Sequence, residues 1–193
     1  MQSICVFCGS RTGGLLEYTE AARQLGHLLA QQGVRLIYGG GNIGLMGVVA
    51  DAVLEASGEA IGVIPQALAE KEVAHHGLTQ LHVVSSMHER KAMMANLADG
   101  FIALPGGYGT FEEFCEIITW YQLGIHRKAC GLLNIAGYYD PLLSQFDLGV
   151  REGFISDSHR EMIIAETQPQ PLLDKILAFH STETSQWLTQ DET

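Results

Sequence analysis

A glycine-rich loop in the middle of the chain, which we call the phosphate-type loop, has the residue types of a phosphate-binding site. Residues 104–113 read LPGGYGTFEE, and they lead into a stretch with helical apolar spacing, predicted over residues 111–123. Glycines let the backbone approach a ligand closely, and the free N–H groups and dipole of a helix N-terminus favour an anion. Because the motif G-x-x-x-x-G-K-[ST] is absent, the loop favours a monophosphate over a triphosphate. The predicted phosphate contacts are Gly106, Gly107, Tyr108, Gly109 and Thr110.

Glu113 is a carboxylate one turn beyond this loop, and two interpretations of it stay open. It is close enough to act on a ligand held by the loop, as a general base or as a negative charge. Residues 110–113 also fit a capping box, in which Thr110 and Glu113 only bond backbone N–H groups. The sequence alone is equally compatible with a catalytic carboxylate and with a helix cap.

A basic pair, Arg90 and Lys91, opens the helix predicted over residues 87–98. Cations in the first turn of a helix oppose its dipole, so their presence there needs a reason. Arg90 shares a helical face with apolar residues, which directs it inward, where a guanidinium needs an anion. Glu113 and a ligand phosphate are the candidate partners. The alternatives are an internal ion pair with another residue and a side chain that extends along the surface to water.

The first glycine loop along the chain, residues 38–47, reads YGGGNIGLMG and contains G-x-G-x-x-G after a predicted strand. A dinucleotide-binding loop also needs an acidic residue at the end of the following strand, but that strand ends VIPQ. An NAD-dependent oxidoreductase is therefore disfavoured. Ligand contact through Gly40 and Gly41, together with Gly9 and Ser10 after the first strand, is predicted, and a tight turn without a ligand is the alternative.

The elements that must carry these loops alternate between strands and helices. Short apolar runs predict strands at residues 3–9, 35–38, 60–64, 81–85, 101–104, 130–134 and 163–165. Such alternation predicts right-handed βαβ units, and continuous apolar strands indicate helices on both faces of the sheet. We therefore expect a Rossmann-like α/β fold, a doubly wound parallel sheet in three αβα layers. Both glycine loops then lie at the carboxyl ends of strands, where such sheets bind ligands.

Residues 1–180 are predicted to form a single domain, and the polar residues 181–193 a disordered tail. The 193 residues carry 11 Lys and Arg against 22 Asp and Glu, a net charge of −11, which opposes nucleic-acid binding. The opening MQSICVFCGS lacks the basic region of a secretory signal, and no apolar run approaches the roughly 18 residues of a membrane span. These features predict a cytoplasmic protein without a membrane partner.

The chain shows no pattern typical of a metal site. Cys5 and Cys8 spell C-x-x-C, but an odd separation within a strand points the two thiols to opposite faces. His75 and His76 lack a third ligand at suitable spacing, and the motifs H-E-x-x-H and G-x-S-x-G are absent. We therefore expect neither a metal ion nor a serine nucleophile.

Taken together, these motifs resemble the LONELY GUY (LOG) family of cytokinin riboside 5′-monophosphate phosphoribohydrolases, whose members were often labelled possible lysine decarboxylases. Residues 105–113 fit the family motif PGGxGTxxE, residues 87–91 its Arg-Lys pair, and residues 39–47 its GGGxxGLMG stretch. The resemblance runs from about residue 3 to residue 179. The decarboxylase label has no chemical support, because no lysine lies in a context typical of pyridoxal phosphate.

The resemblance implies a Rossmann-like homodimer with no metal and no redox cofactor, in which Arg90 and Glu113 are catalytic. The implied substrate contacts beyond the glycine loop are Glu72, Lys91, Glu112 and Thr119. The implied reaction cleaves the N-glycosidic bond of an N6-substituted adenosine 5′-monophosphate into free base and ribose 5-phosphate. A broader AMP nucleosidase and a non-catalytic carrier of a nucleotide or of molybdenum cofactor are the alternatives.

Apolar residues crowd the end of the helix that follows the phosphate-type loop, more than one core face needs. They are Trp120, Tyr121, Leu123 and Ile125. A surplus of apolar surface at one place favours an interface between copies of the chain. The sequence therefore agrees with the homodimer that the resemblance implies.

Overall fold

The computed structural model describes residues 1–70 and 74–180, and a seven-stranded sheet forms its centre. The strand order is β4-β3-β2-β1-β5-β6-β7, and every neighbouring pair is parallel. The strands are β1 Ser3–Phe7, β2 Arg35–Tyr38, β3 Ala60–Pro65, β4 Gln80–Val84, β5 Gly100–Ala103, β6 Ala129–Leu133 and β7 Ile163–Glu166. The predicted α/β class and Rossmann-like parallel sheet are confirmed.

Helices cover both faces of this sheet, which gives the predicted three layers. On one face lie α1 (Leu16–Gln31), α2 (Gly44–Glu55) and α8 (Pro169–Leu177). On the other lie α4 (Met87–Leu97), α5 (Tyr108–Leu123) and α6 (Asp140–Arg151). Two short helices, α3 (Gln66–Ala69) and α7 (Asp157–Arg160), lie within the connections. Strands β1, β3, β5 and β6 are buried along their whole length, because each is covered from both sides.

The chain changes direction across the sheet between β4 and β5. Strands β1 to β4 extend one way, and β5 then pairs with the opposite edge of β1. The loops after β1 and β5 consequently lie side by side, and the Gly9 N–H donates to the Pro105 carbonyl at 3.1 Å. A crevice at such a switch point is where doubly wound sheets bind ligands.

One predicted boundary is wrong in a way that matters for the site. Helix α5 begins at Tyr108 and not at Phe111, and its N-cap is Gly107, which makes no side-chain cap hydrogen bond. Thr110 is therefore inside the helix, so the capping-box interpretation of Thr110 and Glu113 does not apply. The loop glycine Gly109 consequently lies in the first turn of α5, where the N–H groups have no acceptor within the helix.

The two cysteines of the C-x-x-C pair lie on opposite sides of the sheet, as the strand geometry predicts. Cys5 packs beneath α4 and α5, whereas Cys8 packs beneath α1 and α2, and both thiols are free. The excess of apolar surface expected at the end of α5 is only partly present, since Tyr121 is buried in the core and Trp120 is half-buried. Among the described residues, no helix is long and apolar enough to cross a membrane.

Candidate active site

A cavity of about 270 Å³ opens at the switch point between β1 and β5. The end of β1 and the residues after it form one wall, and the first turns of α5 form another. Helix α4 contributes Arg90 and Met94, and the first glycine loop contributes Gly39. The cavity brings together these predicted site residues: Gly9, Ser10, Arg90, Gly107, Tyr108, Gly109, Thr110 and Glu113.

The N-terminus of α5 presents unpaired donors to this cavity. The first helical hydrogen bond joins the Phe111 N–H to the Gly107 carbonyl at 3.1 Å, so the N–H groups of Tyr108, Gly109 and Thr110 have no partner within the helix. The first turn of α5 contains no acidic residue. With the helix dipole, these donors favour an anion of the size of a phosphate.

Arg90 is a buried cation, only 7% exposed, whose guanidinium is held by backbone carbonyls. Its Nε donates to the Val63 carbonyl at 3.1 Å, and one terminal nitrogen donates to the Gly39 carbonyl at 3.1 Å. Among the described residues, the other terminal nitrogen contacts only the Met87 sulfur, at 3.8 Å. Glu113, one of the two candidate partners, makes no ion pair with it, and no carboxylate of the described residues lies within 4.0 Å of Arg90. The buried charge is thus available to a ligand in the cavity.

Glu113 faces the same cavity from the second turn of α5 and is half-buried. Burial raises its pKa to about 7, and the positive charge of Arg90 opposes that rise. A carboxylate with a pKa near neutrality is suited to proton transfer at physiological pH. Since Gly107 caps the helix, no capping role remains to explain this buried acid.

Lys91, in contrast, points away from Arg90 and binds α5. Its amine lies 2.6 Å from Glu112 Oε1 and 2.8 Å from Glu116 Oε1, and it does not line the cavity. Lys91 and Glu112, both expected as substrate contacts, therefore bind each other and join α4 to α5. Thr119 is exposed outside the cavity, and its hydroxyl donates to the Cys115 carbonyl at 2.8 Å. Gly106 lines a neighbouring cavity and not this one, and Glu72 lies outside the described residues.

In the first glycine loop, the glycine that lines the cavity is Gly39 rather than Gly40 or Gly41. Gly40 has a φ of +76°, and its carbonyl accepts from the His75 N–H at 3.2 Å. Gly41 forms an isolated bridge with Ala74. These two glycines form a turn that fixes the backbone of a neighbouring segment, which corresponds to the tight-turn alternative.

Gly39, Met46 and Met94 line the cavity but were not identified from the sequence. A signal for Gly39 does exist, because it directly follows β2 at the ligand-binding edge. A Cβ atom at this position would collide with the guanidinium of Arg90, so the glycine makes room for the arginine. The two methionines carry no such signal, since apolar residues at helical spacing usually belong to the core.

Comparisons with known proteins identify relatives of this chain. The chain matches the family model described as "Possible lysine decarboxylase" over residues 46–176. It is 52% identical over 173 residues to the rice (Oryza sativa subsp. japonica) cytokinin riboside 5′-monophosphate phosphoribohydrolase LOG. The matched region covers 90% of this chain and 72% of that relative. It is 49% identical over 170 residues to LOG2 of Arabidopsis thaliana, with 88% of this chain and 80% of that relative covered.

Solved structures resemble the fold at lower sequence identity. The molybdenum cofactor binding protein of Rippkaea orientalis has a TM-score of 0.69 and 22% identity, covering 92% of this chain and 96% of that one. The molybdenum cofactor carrier protein of Chlamydomonas reinhardtii has a TM-score of 0.69 and 19% identity, covering 92% and 99%. At these identities the likeness concerns the fold alone.

Sequence identity near one half, extended over most of both chains, separates the LOG relatives from these fold neighbours. The family model covers the first glycine loop from Met46 onward, the Arg90 helix and the whole of α5. The chain belongs to the LONELY GUY family of cytokinin riboside 5′-monophosphate phosphoribohydrolases.

Proposed function

We propose that this chain hydrolyses the N-glycosidic bond of an N6-substituted adenosine 5′-monophosphate, releasing the free base and ribose 5-phosphate. The observation that carries the proposal is the placement of Glu113, a half-buried carboxylate with a pKa of about 7, beside an anion-binding helix terminus. A purely phosphate-binding or carrier site has no need of an acid there, because a carboxylate repels the phosphate. The relatives at about half identity carry the same activity in their names.

The geometry of α5 relates the two parts of the ligand. The 5′-phosphate binds the N–H groups of Tyr108, Gly109 and Thr110. Glu113 follows Thr110 by three residues on the same helical face, so it lies about 4.5 Å further along the helix axis. That step matches the distance from a 5′-phosphate to the ribose ring to which it is attached, so Glu113 faces the sugar.

Hydrolysis then proceeds through a cationic, oxocarbenium-like sugar. The water oxygen bonds to C1′, and the bond from C1′ to the base nitrogen breaks with its electron pair moving onto the base. Glu113 takes the proton from water, and the leaving base takes one from solvent. Arg90, held by two carbonyls, directs its remaining donors at a ligand oxygen in the cavity.

A substrate panel tests this proposal. The protein is incubated with N6-isopentenyl-AMP, AMP and N6-isopentenyladenosine, and released bases are quantified by chromatography. We expect rapid release from N6-isopentenyl-AMP and poor turnover of the nucleoside, since the helix terminus then has no anion to bind. Comparable release from AMP would support the broader AMP nucleosidase. Equal turnover of nucleoside and nucleotide, or no release from any compound, contradicts the proposal.

Alanine at Gly107 or Gly109 should weaken binding without affecting folding. A Cβ atom at either position meets no atom within 4 Å, and neither residue has a positive φ, so both variants fit the backbone. The added methyl groups lie at the wall of the ligand cavity. We expect KM for the nucleotide to rise roughly tenfold, about 1.4 kcal/mol, with an unchanged melting temperature.

Gly106→Ala is the contrasting variant, because its Cβ would collide with the buried Thr110 side chain. It should lower both the melting temperature and the activity. If Gly107→Ala keeps a normal KM, the assignment of the α5 terminus to the phosphate is wrong.

We also propose that the active form is a homodimer. The support is the family resemblance and the half-buried apolar residues Trp120, Leu123 and Ile125 near the end of α5. Multi-angle light scattering at working concentration should give twice the 21.0 kDa chain mass. An active species of single-chain mass would contradict this proposal.

A further inference from the structure

The first three carbonyl groups of the phosphate-type loop are held by donors from other parts of the fold. The Leu104 carbonyl accepts from the Tyr139 hydroxyl at 2.6 Å, and the Pro105 carbonyl accepts from the Gly9 N–H at 3.1 Å. The Gly106 carbonyl accepts from the Tyr138 hydroxyl. Three consecutive carbonyls are therefore fixed before the helix begins. Two of the three donors are adjacent tyrosines more than thirty residues away.

Fixing a carbonyl also fixes the amide that follows it. A trans peptide is planar, so the N–H of each residue other than proline points opposite to the preceding carbonyl. Pro105, which follows the Leu104 carbonyl, has no N–H. With the Gly106 carbonyl held by Tyr138, the Gly107 N–H is directed away from that tyrosine. Tyr138 lies on the side of a second cavity of about 520 Å³, whereas Gly107 also lines the active-site cavity. A rotated peptide would instead turn a carbonyl oxygen towards the bound anion and repel it.

Hydrogen bonds within the connection between β6 and α6 fix the backbone that carries the two tyrosines. The buried Asn134 accepts from the Tyr139 N–H at 2.7 Å and donates to Asp140 at 2.7 Å. Ala136 and Gly137 both have positive φ, +51° and +72°, which reverses the chain within two residues. A non-glycine residue in this region is uncommon and needs support from its surroundings.

Aromatic packing then sets both rings against the loop. The Phe111 ring stacks on Tyr138 with a centroid distance of 6.3 Å, and it meets Tyr139 edge-on at 6.2 Å. Tyr18 of α1 packs edge-on against Tyr138 at 5.8 Å. Tyr139 is 1% exposed, and burial raises its pKa, so its hydroxyl keeps the proton that it donates.

We propose that Tyr138 and Tyr139 are positioning residues for phosphate binding, whose hydroxyls hold the carbonyls of Gly106 and Leu104 away from the ligand. With the Gly106 carbonyl held in this way, the Gly107 N–H is presented as a donor, and neither of the two held carbonyls faces the 5′-phosphate. This inference rests on the proposed function for its substrate but concerns the binding of the anion itself.

Phenylalanine substitutions test it, because they remove only the hydroxyl groups. For Tyr138→Phe, Tyr139→Phe and the double variant, two quantities are measured: inorganic phosphate affinity by calorimetry, and KM and kcat for N6-isopentenyl-AMP. Each single variant should weaken phosphate binding and raise KM roughly tenfold, as expected for a lost hydrogen bond that leaves a carbonyl unpaired. The kcat value should change by less than about threefold, because Glu113 and Arg90 are untouched.

Tyr18→Phe is the matched control. Its ring packs on Tyr138 in the same cluster, but within the described residues its hydroxyl makes no hydrogen bond. That variant should bind phosphate as the parent does. Residual turnover of N6-isopentenyladenosine, which has no phosphate, should be equal in all variants.

Unchanged phosphate affinity in the double variant overturns the inference, as does a loss of kcat with KM unchanged. The calorimetric measurement needs no turnover. A parent protein that binds phosphate but releases no base would therefore refute the proposed hydrolysis and leave the role of the tyrosines open to the same binding test.

Discussion

Replacing Glu113 with glutamine is expected to lower kcat at least about a hundredfold, the low end for a positioned acid–base group. Glutamine keeps the size of the side chain but removes the negative charge and the basic oxygen. Helix α5 is capped by Gly107 and not by a Thr110–Glu113 box, so the substitution removes no capping interaction. The fold should therefore survive while hydrolysis fails. Steady-state kinetics with N6-isopentenyl-AMP and circular dichroism on the same preparations measure both effects.

Glu112→Gln is the internal control for this experiment. Glu112 is adjacent and equally charged, but it lies about 100° around the helix, outside the cavity lining. It binds Lys91, which keeps Glu116 as a second partner after the substitution. We expect a loss of activity well below that of Glu113→Gln. Normal turnover by Glu113→Gln would show that the reaction does not need this carboxylate.

The raised pKa of Glu113 gives the same variant a pH signature. As a general base the carboxylate must be ionised, so the activity of the parent should rise with pH through about 7, and the glutamine variant should lack that rise. The contribution of Glu113 to the stability of the parent should change in the opposite direction and fall as pH rises. Because the folded-state pKa exceeds the ordinary value of 4.5, folding favours the protonated acid, and this contribution is lost as pH rises through about 7. The melting temperature of Glu113→Gln, relative to that of the parent, should therefore be higher at pH 8 than at pH 5.

The sheet and its loops could be predicted from the sequence because each rests on a local pattern. Apolar runs of four to six residues, separated by helical spacing, determine the strands, and parallel strands place their following loops at one edge. The start of α5 was missed because glycine is a poor helix former, which suggests a loop for Gly109. In the first turn that penalty matters less, since the N–H groups there point to a ligand or solvent.

The direction in which the predicted side chains of α4 point depends on how separate helices pack. Arg90 and Lys91 are neighbours in sequence, but adjacent helical residues point about 100° apart. Arg90 therefore enters the cavity, while Lys91 meets Glu112 and Glu116, one turn apart on α5. Nothing local to α4 reveals that α5 carries two acids opposite Lys91.

The tyrosine pair was missed for a related reason. Tyr138 and Tyr139 bond backbone carbonyls, which every residue has, so their partners leave no trace in residue type. The distance along the chain, 32 and 35 residues, hides the contact further. Residues that bind a ligand directly have recognisable types, whereas residues that orient a backbone can be identified only from the three-dimensional fold.

Arg90→Lys is expected to reduce activity at least about a hundredfold, the range measured for the loss of one preorganised donor. An ammonium group keeps the charge but is not a planar fork, so it cannot bond the Val63 and Gly39 carbonyls and still reach a ligand. Because lysine keeps the positive charge, this variant tests the donor geometry of Arg90 separately from its charge, whereas alanine would remove both. Retention of parent activity by this variant would mean that only a positive charge is needed at this position.

Gly39→Ala should give the same defect without changing any charged residue. Gly39 has no positive φ, so alanine fits the backbone, but its Cβ would occupy the space of the Arg90 guanidinium. The flexible arginine then moves, loses its bond to the Gly39 carbonyl and presents its charge from a displaced position. We expect kcat/KM to fall at least about tenfold, with a much smaller effect on folding, since the obstructed group is the end of a side chain. Gly14→Ala is the control, because a Cβ there meets no atom within 4 Å. Full activity in Gly39→Ala would indicate that the carbonyl-bound position of Arg90 is not the one that acts on the substrate.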